Sequence, residues 1–165
     1  MVYEVSITED ILREARYVAD GWDKGNEFSS KGNLIGAVGA VVVADYYGVG
    51  LVSHPEYNMR KDGKKIYVKT KQRRKGPPEG YYEASVNRSS MHTLNPDYFV
   101  FVSLAELDTA YIMGYIEVNE FISKAHLLEE GAIDPTNGYK NRKACFNIAY
   151  DRLNADIRWL TGVEV

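Results

Sequence analysis

Cysteine is nearly absent from this chain. Cys145 stands alone, which excludes an intramolecular disulfide and a cysteine-rich zinc site. It lies in the apolar run ACFNIAY, where a thiol reads as a small core residue. The histidines, His54, His92 and His126, are far apart, and none has the i,i+4 spacing of a helical zinc pair. The glycines form neither GxGxxG nor GxxxxGK, so no nucleotide phosphate loop is encoded. Long hydrophobic runs are missing too. The longest nearly uncharged one, Leu34 to Ala44, falls well short of the ~18–20 residues of a membrane span. The opening stretch MVYEVSITEDILREAR is charged and lacks a signal-peptide core. The expectation is a soluble, intracellular, cytoplasmic protein without a membrane partner.

What is present is ordinary globular usage, with 45% apolar and 26% charged residues in 165. That length suits one domain with its own core, spanning 1–165. Thirteen tyrosines point to many half-wet positions, as at a groove or an interface. Charge is unevenly placed. Residues 60–75, RKDGKKIYVKTKQRRK, hold nine of the twenty basic residues and one acid, a charge of +8 that leaves −11 on the other 149 residues. A basic stripe on an acidic body suits a polyanion partner. The competing reading is a solvated hairpin whose lysines keep an edge strand soluble.

Thr8 is the N-cap of a helix reaching about Asp20, with Ile11, Leu12, Ala15 and Val18 at helical spacing. Gly21 to Gly32 reads as a polar loop. Asn33 to Tyr47 is apolar on all sides; valines 41–43 favour a strand, but the length favours a buried helix stopped by Gly48. Gly50 to Ser53 and Glu56 to Arg60 read as extended. Asp62-Gly63 is a hairpin turn and Lys64 to Gln72 the returning strand. On that strand Ile66 and Val68 face one side, and Lys65, Tyr67, Lys69 and Lys71 the other. Tyr81 to Val86, Tyr98 to Leu104, Ala110 to Glu117 and Ala144 to Tyr150 are further strands. Asn119 is expected to cap a helix over 120–129, and Leu153 to Leu160 to be helical. The fold class is α+β, with a mixed central sheet flanked by helices.

The order of a buried helix, a hairpin and a strand ending in Val68-Lys69-Thr70-Lys71 resembles the PD-(D/E)xK nuclease superfamily, in its bacteriophage and archaeal members. The matching stretches run from Gly36 to Gly48 and from Asn58 to Thr70. The segments YEASV, YFVFVSL, YIMGYIEVNEFISKAHLL and IDPTNGYK are also similar to the later parts of such chains, so the resemblance covers about 33–150. It implies a restriction-endonuclease-like core, DNA as partner, Mg²⁺ as cofactor and a homodimer, since two strands must be cut. In that family acidic oxygens from the helix and both hairpin strands hold Mg²⁺, a hard cation that polarises the phosphate and activates water. A lysine two residues beyond the last acid shares its face and orients the water or balances phosphate charge.

The chain departs from that pattern at the acids. Ala40 stands at the helix position, Asn58 at the first hairpin position and Tyr67 at the second; only the lysine, Lys69, remains. Ala40 offers no oxygen, Asn58 a neutral one and Tyr67 a poor ligand. Three readings are open: a nuclease inactivated by design or selection, a natural relative that binds without cutting, or a site whose acids have migrated to Asp45, Glu56 or Glu83. Lys71, Arg73, Arg74 and Lys75 are expected to contact phosphates, which position a nucleic acid without reading its sequence.

Overall fold

The computed structural model describes residues 2–23, 30–74, 76–134 and 138–158. The chain is α+β, with two helices on one face of a five-stranded sheet and a second, three-stranded sheet beyond the other face. Strand β1 (Tyr3–Ser6) is followed by α1 (Glu9–Asp23) and α2 (Ser30–Tyr47). The hairpin is β2 (Met59–Lys61) and β3 (Lys64–Arg73); β4 (Glu83–Asn87), β5 (Tyr98–Ala105), β6 (Thr109–Glu117), α3 (Val118–Lys124), β7 (His126–Leu128) and β8 (Cys145–Ala149) complete the order. The large sheet runs β1-β6-β5-β3-β2, with β3 parallel to β5 and the other neighbours antiparallel. The small sheet runs β4-β8-β7, all antiparallel.

Thr8 caps α1 as expected, its Oγ1 accepting from Ile11 N at 3.2 Å. The helix continues through Gly21 to Asp23, and α2 starts at Ser30, so the expected polar loop is shorter than Gly21 to Gly32; residues 24–29 lie outside the described set. Residues 41–43 are helical despite three valines, because α2 is covered on one side by α1 and on the other by β3 and β5. A helix enclosed in this way keeps almost no polar face, which explains its apolar run up to the exposed Asp45. It ends at Gly48, where Val49 N bonds back to the Ala44 carbonyl at 3.0 Å.

The turn Asp62-Gly63 has φ of +52° and +78°, both positive as a two-residue hairpin of this kind requires. Ile66 and Val68 join α2 in the helix-side core, while Tyr67 packs into the opposite core with Phe99, Phe101 and Phe121. The expected strand Glu56 to Arg60 shrinks to Met59–Lys61, and Gly50 to Ser53 enters no ladder. The third helix is capped by Glu117, whose carboxylate accepts from Glu120 N at 3.0 Å, rather than by Asn119. It stops at Lys124 because His126–Leu128 is recruited as an edge strand by β8. No helix starts at Leu153; Asn154 forms a bridge to Tyr115 instead, and 159–160 of the expected helix lie outside the described residues.

Candidate functional site

The hairpin β2–β3 sets the geometry. Asn58 N donates to the Ile66 carbonyl at 2.8 Å, and Asn58 Oδ1 accepts from Val68 N at 2.6 Å. The side chain therefore extends the ladder past the end of β2, and its oxygen serves the backbone of β3. Beyond Val68, β3 has no ladder partner on its β2 side among the described residues. β4 likewise pairs only with β8. The two open edges approach each other across a cleft of about 200 Å³, bordered by Lys69, Lys71, Ser85, Asn87, Phe101 and Tyr150.

The structure brings Tyr67, Lys69 and Lys71 to one face of β3, while Asn58, just before β2, turns its amide to the β3 backbone. It does not bring Ala40 there. Ala40 is buried in the helix-side core with Ile66 and Val68, and the sheet separates it from Tyr67. Tyr67 packs edge-on against Phe99 with ring centroids 6.3 Å apart, and burial raises its pKa, so the phenol is neutral. Lys69 and Lys71 are half-buried at the cleft. Burial lowers both pKa values, and for Lys71 the nearby Arg73 charge lowers it further. Neither makes an ion pair among the described residues.

The three candidate migrated acids have different settings and do not come together. Asp45 is exposed near Tyr3 and Tyr46 on the helix side. Glu56 lies before β2 with its backbone carbonyl accepting from Asn95 N at 3.1 Å, and its carboxylate makes no hydrogen bond or ion pair among the described residues. Glu83 is 8% exposed, its Oε2 sharing a 2.6 Å hydrogen bond with His126 Nε2 and its Oε1 accepting from Asn147 Nδ2 at 3.3 Å. The same polar cluster continues to Cys145, whose Sγ donates to Asn147 Oδ1 at 3.1 Å. These partners come from β4, β7 and β8 and tie the small sheet together; nothing local in the sequence announces them.

Arg73 is more structural than expected. Its guanidinium lies 4.3 Å over the Tyr82 ring and 5.9 Å from that of Tyr150, and Nη2 makes a long bond to the Glu83 carbonyl at 3.5 Å. Arg74 is exposed just past β3, and Lys75 lies outside the described residues. At the other end of the hairpin, Arg60 stacks 5.2 Å over Tyr57 and donates from Nε to its hydroxyl at 3.1 Å.

The donor set does not suit Mg²⁺. Of the three expected acid positions one is a methyl in the core, one an amide committed to the backbone and one a neutral phenol. Of the carboxylates whose charge reaches Lys71, Asp134 and Glu83, Glu83 already has two partners. Among the described residues no cluster of three His, Cys, Asp or Glu side chains could hold a metal, and no helix is long and apolar enough to cross a membrane. Compared with family models, curated proteins and solved structures, the chain matches none.

Proposed function

We propose that this chain is a nuclease-like protein that binds nucleic acid through the β2–β3 hairpin and does not hydrolyse it. The observation that carries the reading is the state of the hairpin's cations. Arg60, Lys61, Lys65, Lys69, Lys71 and Arg74 project from one short hairpin, and none pairs with a carboxylate among the described residues. A protein with net charge −3 has acids enough to neutralise them, and leaving them unpaired favours a polyanion. Contacts of Arg60, Lys61, Lys65 and Arg74 would run along phosphates, giving affinity without sequence preference.

The chemistry of the donors argues against hydrolysis. Lys69 can stabilise phosphate charge, but without carboxylates to gather a cation nothing activates the attacking water. The solvated-edge alternative fits Arg60 and Lys61, which border the edge strand β2. It fits Lys69 and Lys71 poorly, because they sit at a cleft where water is partly excluded.

The test is plasmid DNA incubated with the protein and Mg²⁺ or Mn²⁺, assayed for both mobility shift and cleavage. The expected result is retarded DNA that remains supercoiled. Nicking that chelator abolishes, in a preparation free of other nucleases, would overturn the non-hydrolytic reading. Absence of retardation at low salt would overturn the binding reading.

A further inference from the structure

Two lysines share the cleft between the open edges of β3 and β4, and their placement asks for an explanation. Lys69 and Lys71 lie two residues apart, so their side chains leave the same face of β3. An ammonium withdrawn from water is costly unless paired, and neither forms an ion pair among the described residues, although the Asp134 and Glu83 charges favour the Lys71 ammonium from a distance. Edge protection does not account for them, since that role needs the charge in bulk water.

The opposite wall supplies donors. Tyr82 and Arg88 direct their backbone bonds to β8, through Tyr150 N to the Tyr82 carbonyl and Arg88 N to the Ala144 carbonyl, both at 2.9 Å. By the alternation of an antiparallel ladder, Ser85 and Asn87 then turn both N–H and C=O to the open edge of β4, the N–H groups as donors to an anion and the carbonyls as acceptors for the ammonium groups. The Ser85 hydroxyl and Asn87 amide belong to the same wall. Unpaired backbone donors facing two ammonium groups form a receptor for an oxyanion.

Size narrows the class. The cleft, at about 200 Å³, is below the roughly 300–1,000 Å³ of pockets that enclose drug-sized ligands. It has room for one phosphoryl group, whereas an internal diester must carry a nucleoside on both sides. Two cations match the second charge that a monoester has and a diester lacks. We infer that the cleft between β3 and β4 binds a phosphate monoester dianion through Lys69 and Lys71, with Ser85 and Asn87 as neutral donors. The dianion is supplied by a terminal phosphate of a nucleic acid or by free phosphate. This deepens the nucleic-acid reading where the source is a chain end, but the anion site itself stands without it.

The experiment uses the full chain in chloride buffer at constant ionic strength. Melting temperature is measured against inorganic phosphate for the parent, Lys69→Met, Lys71→Met and a control at the exposed Arg16 of α1, Arg16→Gln. Phosphate is expected to raise Tm by several degrees in the parent and the control, and to lose that effect in either lysine variant. The Met variants should melt no lower than the parent in phosphate-free buffer, since a desolvated charge has been removed, so loss of the response is not loss of the fold. A second arm compares oligonucleotides with 5′-phosphate and 5′-hydroxyl ends. About tenfold tighter binding of the phosphorylated end, abolished by Lys69→Met, assigns the anion to a chain end. No preference, with the inorganic phosphate response intact, assigns it to free phosphate. If phosphate shifts Tm no more than added chloride does, or if the lysine variants respond like the parent, the site does not exist as inferred. Salt-dependent binding of hydroxyl-ended duplex would in that case leave the nucleic-acid reading standing.

Discussion

Asn58 and Lys69 show how differently two neighbouring polar side chains can be used. Asn58 is buried because its amide completes the backbone ladder at Val68. Asn58→Ala strands that N–H and should cost about 1–3 kcal/mol in a urea titration. Asn58→Asp keeps an acceptor at the same place and should retain most of the stability. Lys69 is a burden on the fold when no anion is present. Its folded-state pKa lies below the free value of 10.5, chiefly through burial. Below the lowered value both states hold the proton and the whole cost of burial is felt. Between it and 10.5 the unfolded chain holds more protons, so stability rises with pH there. Lys69→Met should therefore be more stable than the parent in phosphate-free buffer at neutral pH, and the gap should close as pH approaches 10.5. A gap that widens with pH would contradict the sign of this argument. The alternation of Ile66 and Val68 against Tyr67, Lys69 and Lys71 was readable from a period of two. The role of Asn58 was not, because its position was read against the acid that the resemblance implies there, and nothing local shows its amide serving the backbone of β3.

At the scale of elements, the tightest junction is α2 on β3. A Cβ on Gly39 would run into the side chain of Thr70, including Oγ1 and, at 2.9 Å, Cβ and Cγ2. Thr70 Oγ1 is itself buried without a partner among the described residues. Gly39→Ala should force the helix off the sheet and cost about 1–3 kcal/mol by overpacking. Pairing it with Thr70→Ala removes Oγ1 and Cγ2, so the double variant should recover part of the loss. Additive costs in equilibrium denaturation would show that the two do not touch. Helix α2 was legible as an element despite its valines, since a largely apolar stretch of fifteen residues, Asn33 to Tyr47, exceeds any ordinary strand. Its close approach to Thr70 was not legible, because glycine inside a helix has many causes. The start of α3 was misplaced by two residues, since both Glu117 and Asn119 have capping side chains and only the backbone decides between them.

At the scale of the whole molecule, the small sheet holds what sequence reading could not assemble. β4, β7 and β8 come from distant parts of the chain, and their union gives Glu83 its partners His126 and Asn147. A strand glutamate with no local partner was thus a fair metal candidate in sequence and is a cross-strand tie in the fold. The basic stripe, by contrast, was visible at once as composition, and the fold concentrates it on one hairpin. What the sequence could not say is that Arg73 is stacked between Tyr82 and Tyr150 while Lys69 and Lys71 turn into a cleft. The central claim is that the hairpin binds a polyanion, and its most direct test is the salt dependence of duplex binding measured in chelator. With about four phosphates neutralised, the slope of log K against log salt should be about −3 to −4. Charge reversal at the exposed Arg60 and Arg74 should flatten it by about 2. A slope near zero, or one that the double reversal leaves unchanged, would contradict the claim and leave the stripe as a solvated edge.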